Sequence, residues 1–173
     1  KDFSISSIKA IEYQGTMPAF PSTDVGMVRV SSRIKLIEGT VTEFAGIVFQ
    51  TTTNYAIGSR TGAIVGVGAY EDIASGVTME AGKEYGLRME WRKGYVSYWI
   101  QPNVMTDEWI KFGEEPHTLT DWPENYVSAA KKPVLALGTS GIQITEFKIE
   151  KFIETSYLQS PSHVYTSPGI YKP

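Results

Sequence analysis

The chain has 173 residues and a formal net charge of −3 at pH 7, a length that suits one domain. That charge balance, without any lysine- or arginine-rich run, excludes the basic surface that a nucleic-acid partner needs. No cysteine is present, which leaves the redox compartment open. No apolar run approaches about 18 residues, so we expect no membrane span. Because the first residue is Lys1, we expect a processed chain or an excised module.

The first quarter of the chain predicts a strand, a loop and a second strand with one solvent-exposed face. Residues 3–13 are a candidate first strand, and residues 15–24, rich in Pro, Gly and Ser, are a candidate loop. Apolar and polar residues then alternate from residue 28 to residue 36. One face carries Val28, Val30, Ser32, Ile34 and Leu36. The other carries Arg29, Ser31, Arg33 and Lys35.

The middle of the chain predicts four more strands, at residues 44–51, 54–59, 62–70 and 77–79. Glycines recur through the second and third of these strands, at positions 58, 62, 66 and 68. A strand glycine commonly marks a bulge or a close approach of another chain segment. We therefore expect either a thin, strongly curved sheet or β-bulges here.

The clearest element is a β-hairpin at residues 84–101, with Lys93-Gly94 as its turn. This turn sets the register, so that Arg92 faces Tyr95 and Leu87 faces Ile100. Because side chains alternate, each opposed pair shares a face. The predicted core face carries Leu87, Met89, Trp91, Val96, Tyr98 and Ile100. The outward face carries Arg88, Glu90, Arg92, Tyr95, Ser97, Trp99 and Gln101.

Beyond the hairpin, residues 108–112 predict a short strand and residues 114–132 a long loop. The last strands are predicted at 133–138 and 141–152. The apolar positions change parity within the second of them, which predicts a bulge near Thr145-Glu146. Residues 153–173, rich in Pro and Ser, predict an extended tail.

About ten strands without a helical period predict an all-β fold, a two-sheet antiparallel β-sandwich of the jelly-roll type. We expect a single domain over residues 1–173, with its core at about 26–152. Residues 1–25 would add an N-terminal strand and loop. Residues 153–173 would follow the core as the tail.

Several stretches, in this order, resemble the concanavalin A-like jelly roll, in the laminin-G-like and carbohydrate-binding-module branch of extracellular proteins. They are Phe44-Ala-Gly-Ile-Val-Phe-Gln, Asn54-Tyr-Ala-Ile-Gly, Lys83-Glu-Tyr-Gly-Leu-Arg-Met-Glu-Trp, Gly94-Tyr-Val-Ser-Tyr, Trp109, Val134-Leu-Ala-Leu-Gly and Ile144-Thr-Glu-Phe-Lys-Ile. The resemblance implies an extracellular or cell-surface location, glycan binding and often a structural calcium ion. Hydrolases of this family carry an acidic-x-acidic-x-x-Glu cluster on one strand. Glu84, Glu90 and Glu146 instead stand alone, so we assign no catalytic residue and expect no enzyme.

The candidate glycan-binding residues lie on the outward face of the hairpin and in the segment after it. Aromatic rings stack on the apolar C–H face of a sugar, and charged or amide groups bind its hydroxyls. The candidates are Trp99, Tyr95, Arg88, Glu90, Gln101, Trp109 and Trp122. The alternative is that a loop, a tail or a second subunit covers this face and makes Trp99 an ordinary packing residue.

Calcium binds several protein oxygens at once. Candidate ligands for a structural calcium ion are Asp24, Glu71 and Asp72, none of them in an EF-hand spacing. His117 and His163 stand far apart and predict no zinc site. No other cofactor is expected.

Three functions are consistent with these residues. The first is a non-catalytic, lectin-like module that binds a polysaccharide or another glycan. The second is a structural subunit of an extracellular filament, coat or surface layer, in which terminal segments join the sheet edges of neighbouring copies. The third, a glycoside hydrolase or lyase, lacks the paired carboxylates that its chemistry requires.

Overall fold

The computed structural model describes residues 10–13, 26–38, 43–50, 54–68, 71–117, 133–137 and 141–152. Within these ranges all regular structure is β-strand. In chain order the strands are β1 Ala10–Glu12, β2 Met27–Leu36, β3 Phe44–Gln50, β4 Asn54–Arg60, β5 Ala63–Val67, β6 Asp72–Thr78, β7 Glu84–Arg92, β8 Tyr95–Gln101, β9 Ile110–Pro116, β10 Pro133–Leu137 and β11 Ile142–Phe152.

These strands form two antiparallel sheets. The six-stranded sheet has the order β1-β10-β3-β4-β5-β6, and the five-stranded sheet has the order β11-β2-β7-β8-β9. Apolar side chains from the inner faces of both sheets make one continuous core. The two-sheet antiparallel jelly roll predicted from the sequence is therefore confirmed.

The β7–β8 hairpin has the predicted register. Arg92 pairs with Tyr95, and the ladder continues through Leu87 and Ile100. Gly94 has a φ of 90°, a conformation that costs a glycine little and other residues more. All six residues of the predicted core face are at most 1% exposed.

Trp91 lies at the centre of the core between the sheets. Its ring centroid is 5.3 Å from that of Phe49 and 5.0 Å from that of Tyr55. His117 packs on the same indole at 4.9 Å, and its Nε2 lies 2.7 Å from the backbone oxygen of Arg92. His117 therefore closes the end of the core.

The outer faces of the two sheets differ in chemistry. The outer face of the six-stranded sheet carries a second apolar cluster, whose members are at most 8% exposed. They are Phe44, Val48, Ala56, Val65, Val67 and Ala136. The outer face of the five-stranded sheet carries charged and polar residues. Among the described residues, this second face offers the polar surface on which a ligand could lie.

The structure also corrects two strand predictions. Strand β6 spans Asp72–Thr78, whereas the sequence predicted only a short strand at 77–79. Residues 114–116 belong to β9 and not to the predicted loop, because pairing with β8 overrides a turn-like Gly-Glu-Glu-Pro composition.

The predicted bulge in β11 is confirmed by a register shift between Thr145 and Lys148. The predicted features at residues 3–9, 15–24, 118–132 and 153–173 lie outside the described residues.

The buried hydroxyl of Tyr98 provides a test of the core. It lies 3.1 Å from the backbone oxygen of Val67 and donates to the carboxylate of Glu115. Burial, and then the charge of Glu115, raise the pKa of Tyr98 well above its usual value of about 10. Tyr98→Phe should lower the free energy of unfolding by about 1–3 kcal/mol at pH 7, because it removes a hydrogen bond to a buried carboxylate.

The pH dependence of this variant follows from the same shift. A raised folded-state pKa gives stability that is complete below the unfolded value of about 10 and is lost as the pH rises above it. Urea unfolding between pH 8 and 11 should therefore show a steeper loss above about pH 10 for the native chain than for Tyr98→Phe. Parallel curves would contradict the assignment.

Candidate functional site

The outward side chains of the five-stranded sheet form rows that run across the strands. One row contains Lys148, Ser31, Arg88, Trp99 and Lys111, on β11, β2, β7, β8 and β9 respectively. The next row contains Glu150, Arg29, Glu90, Ser97 and Glu114. The first row is cationic and the second largely anionic, and rows on one face lie roughly 7 Å apart.

A cleft of about 200 Å³ opens on this face. The hairpin contributes Arg88 and Gln101 to its lining, and the segment between β8 and β9 contributes Asp107 and Trp109. The remaining lining residues come from β2 and β11. They are Ser31, Ser32, Arg33, Glu146, Lys148 and Glu150. The lining thus combines both charge signs, an amide and one indole.

Gly86 allows Trp109 to lie on the sheet. A Cβ atom at Gly86 would come within 2.7 Å of Trp109 Cη2 and 2.8 Å of Gln101. Gln101 in turn donates from Nε2 to the backbone oxygen of Thr106, which fastens residues 102–109 to the strand they follow. The missing side chain at Gly86 therefore determines how closely the indole approaches the backbone.

Arg88 is the central charged residue of the cleft. Its guanidinium lies 3.6 Å from the centroid of the Trp109 ring, a cation–π contact. Its only ion pair among the described residues, to Glu90, is long at 3.9 Å. The same Glu90 oxygen already accepts a hydrogen bond from Arg29 Nε at 3.0 Å and lies 2.9 Å from Arg29 Nη2. The Nε atom of Arg88 is buried without a hydrogen-bond partner in the described part of the chain.

This environment changes the acid–base properties of Arg88. Burial lowers its pKa to about 10, because a charged form is disfavoured away from water, and the positive charge of Arg29 acts in the same direction. Glu90 and Glu150 oppose that shift only in part. Arg88 is thus a partly desolvated cation whose positive charge is balanced only in part by nearby carboxylates.

The bulge in β11 brings Glu146 into the cleft. Glu146 has a φ of 51°, in the left-handed region that a non-glycine residue seldom adopts. Its Oε2 lies 3.0 Å from Arg33 Nε, and Arg33 Nη1 lies 3.3 Å from Glu84. Two carboxylates therefore hold Arg33 in place. Lys148 and Asp107 make no ion pair with any described residue.

The structure brings together three of the residues predicted as ligand contacts. Arg88, Gln101 and Trp109 line one cleft, and Glu90 lies beside it next to Arg88. The cleft also contains residues that the sequence did not single out. Arg33 was visible as an outward residue of β2, and an unusual bulge marked Glu146, but neither signal shows which strands are neighbours.

The other predicted contacts lie outside the cleft lining. Trp99 is half-buried, pairs with Arg88 across the strands and donates from Nε1 to Ser97 Oγ at 3.0 Å. Tyr95 lies at the turn end of the hairpin and is 38% exposed. Trp122 lies outside the described residues. The outward hairpin face is thus covered in part, by the segment that carries Trp109.

Two of the calcium ligands predicted from the sequence, Glu71 and Asp72, lie in the described part of the chain. Asp72 forms an ion pair with Arg60, and Glu71 is exposed. Asp24 lies outside the described residues, where nothing tests it. The described residues contain no group of three or more His, Asp or Glu side chains that could hold a metal. They also contain no helix long and apolar enough to cross a membrane.

Comparison with known proteins shows the fold of this chain. No protein-family model matches the sequence, and no curated protein is significantly similar to it. The catalytic domain of a GH131 β-glucanase from Podospora anserina superposes with a TM-score of 0.50 at 14% identity, over 75% of this chain and 60% of that domain. An engineered GH43 glycoside hydrolase gives 0.50 at 11% identity, over 73% of this chain and 29% of the enzyme.

A galectin from Caenorhabditis elegans superposes with a TM-score of 0.48 at 13% identity, over 84% of this chain and 91% of the galectin. At such identities the likeness to the two glycoside hydrolases shows fold alone. That fold is the concanavalin A-like sandwich, as the sequence resemblance predicted. This chain spans 60% or less of each of those two proteins.

Gly86→Ala tests the contact between the sheet and the indole. The added methyl group should displace Trp109, shift the tryptophan emission spectrum and lower the free energy of unfolding by about 1–3 kcal/mol. In a Trp109→Ala background the same substitution should cost less, because most of the clash is gone. Equal costs in the two backgrounds, from urea unfolding, would show that Trp109 does not lie on Gly86.

Proposed function

We propose that this protein is a non-catalytic carbohydrate-binding module and that a glycan binds in the cleft on the five-stranded sheet. One observation carries the proposal: the indole of Trp109 lies in a polar cleft beside Arg88, Lys148 and Asp107, of which only Arg88 has an ion pair, at 3.9 Å, among the described residues. A sugar ring presents both an apolar C–H face and hydroxyl groups that donate and accept. Such a cleft is complementary to both properties.

The donors and acceptors have assignable roles. Arg88 and Lys148 offer N–H groups to sugar oxygens, and Asp107 and Glu150 accept from sugar hydroxyls. Arg88 covers one face of the Trp109 ring, so we assign the sugar to the other face. A preformed surface of this kind binds with modest affinity per site, because water competes for every hydrogen bond.

The non-catalytic part of the proposal is supported by how the carboxylates are held. Glycoside hydrolysis needs one carboxyl group that stays protonated, through burial or through a neighbouring carboxylate, and a second carboxylate at a set distance. Glu146 instead lies 3.0 Å from Arg33 with 46% of its side chain exposed. Glu90 is engaged by Arg29. An extracellular location and a structural calcium ion stay predictions of the resemblance, and self-assembly stays a prediction from the terminal segments.

Trp109→Ala tests this function. The substitution should weaken glycan binding more than tenfold, about 1.4 kcal/mol, because it removes the stacking platform. Tyr95→Ala is the matched control, since Tyr95 is an aromatic residue on the same sheet face but outside the cleft. It should bind as the native chain does. Affinity electrophoresis in polysaccharide gels and a glycan array would measure both, with circular dichroism to confirm folding.

Two outcomes would count against the proposal. Equal losses in Trp109→Ala and Tyr95→Ala would move the site away from the cleft. Absence of any retained glycan would reject carbohydrate binding altogether.

A further inference from the structure

We propose that the cleft selects glycans that carry an anionic group, a carboxylate or a sulfate, and that this group binds above Ser31 between Lys148 and Arg88. The inference rests on the proposed function and names the ligand class of the same site. It follows from the arrangement and pairing of charges on the five-stranded sheet.

The register of the sheet places the two cations on either side of a small residue. Lys148 on β11 and Arg88 on β7 both pair with Ser31 on β2. Neighbouring strands lie about 4.8 Å apart, so the Cα atoms of Lys148 and Arg88 are roughly 10 Å apart. Long cationic side chains on both sides of a serine leave a gap whose floor is Ser31. An oxyanion fits a gap of this size and charge.

The ion pairs of the surrounding residues leave these two cations with little compensation. Arg33 is held by Glu84 and Glu146, and Arg29 is held by Glu90. In the described part of the chain, the only ion pair of Arg88 is the 3.9 Å contact to Glu90. Lys148 has no ion pair among the described residues. A partly buried cation without a close counter-ion is costly, and an anionic ligand would offset that cost.

The lowered pKa of Arg88 is consistent with its lack of a close counter-ion. Burial and the nearby charge of Arg29 disfavour its charged form, which an added negative charge would favour again. A guanidinium also matches the planar shape of a carboxylate better than an ammonium group does.

Three carboxylates line the same cleft. Glu146 faces Arg33 at 3.0 Å and is thereby neutralised. Glu150 lies one row away from Lys148, opposite Arg29. Asp107 lies on the segment with Trp109. Glu150 and Asp107 therefore flank the cationic row as acceptors for hydroxyl groups, so that the ligand would combine one anionic group with several hydroxyls.

The experiment uses two pairs of polymers with matched backbones. They are polygalacturonate with its carboxyl-reduced form, and dextran sulfate with dextran. Titration calorimetry at two salt concentrations should show that the anionic member of at least one pair binds about tenfold more tightly and weakens with salt. The pair that shows this difference identifies the group as a carboxylate or a sulfate.

Lys148→Gln is the test variant, and Lys151→Gln is its control. Both residues are exposed lysines of β11, so the two substitutions change net charge equally. They point to opposite faces of the sheet, and only Lys148 points to the face with the cleft. Lys148→Gln should weaken binding of the anionic polymer about fivefold. It should leave any binding of the neutral polymer unchanged. Lys151→Gln should bind within twofold of the native chain.

Each remaining outcome decides against the inference. Equal affinity for the neutral and anionic members, with loss in Trp109→Ala, would keep carbohydrate binding and reject anion selection. Equal losses of affinity in Lys148→Gln and Lys151→Gln would show that only net charge matters. That result would reject the position assigned to the anionic group beside Lys148. Failure of all four polymers to bind would reject anion selection, and absence of any retained glycan on the array would in addition reject the proposed function.

Discussion

The alternation of side chains along the β7–β8 hairpin couples the core of this protein to its candidate site. One face of the hairpin places Trp91 against Phe49 and Tyr55 in the core, and the other face places Arg88 and Gln101 in the cleft. A slip of one residue would exchange the two faces and bury Arg88. Core packing therefore fixes the geometry of the site, and neither can change register without the other.

The two sheets share this core but differ in the chemistry of their outer faces. In β3 and β4 apolar residues point to both faces, which is typical of strands that are covered on both sides. In β2 and β7 the outward positions are charged, which is typical of a sheet with one solvated face. The charged face is also where the segment after β8 folds back. Surface chemistry thus localises the candidate site before any side-chain geometry is considered.

Much of the fold was predictable from the sequence, because it depends on local alternation and turns. The hairpin register, its core face and the bulge near Glu146 all follow from patterns within a few residues. The cleft does not, because Arg33, Arg88 and Lys148 become neighbours only through the strand order β11-β2-β7. Periodicity also placed Trp99 outward correctly, but it gave no sign that Trp109 would return onto Gly86 and line the cleft.

The stacked pair of Arg88 and Trp109 has a consequence for the thermodynamics of recognition. Both side chains are already held, one by the indole and the other by the glycine backbone beneath it. A ligand that binds there has few rotamers to freeze, whereas each flexible side chain immobilised on binding costs about 0.5–1.5 kcal/mol. The pair of Arg88 and Trp109 is thus preorganised. Its side-chain conformational entropy is lost when the chain folds and not when the ligand binds.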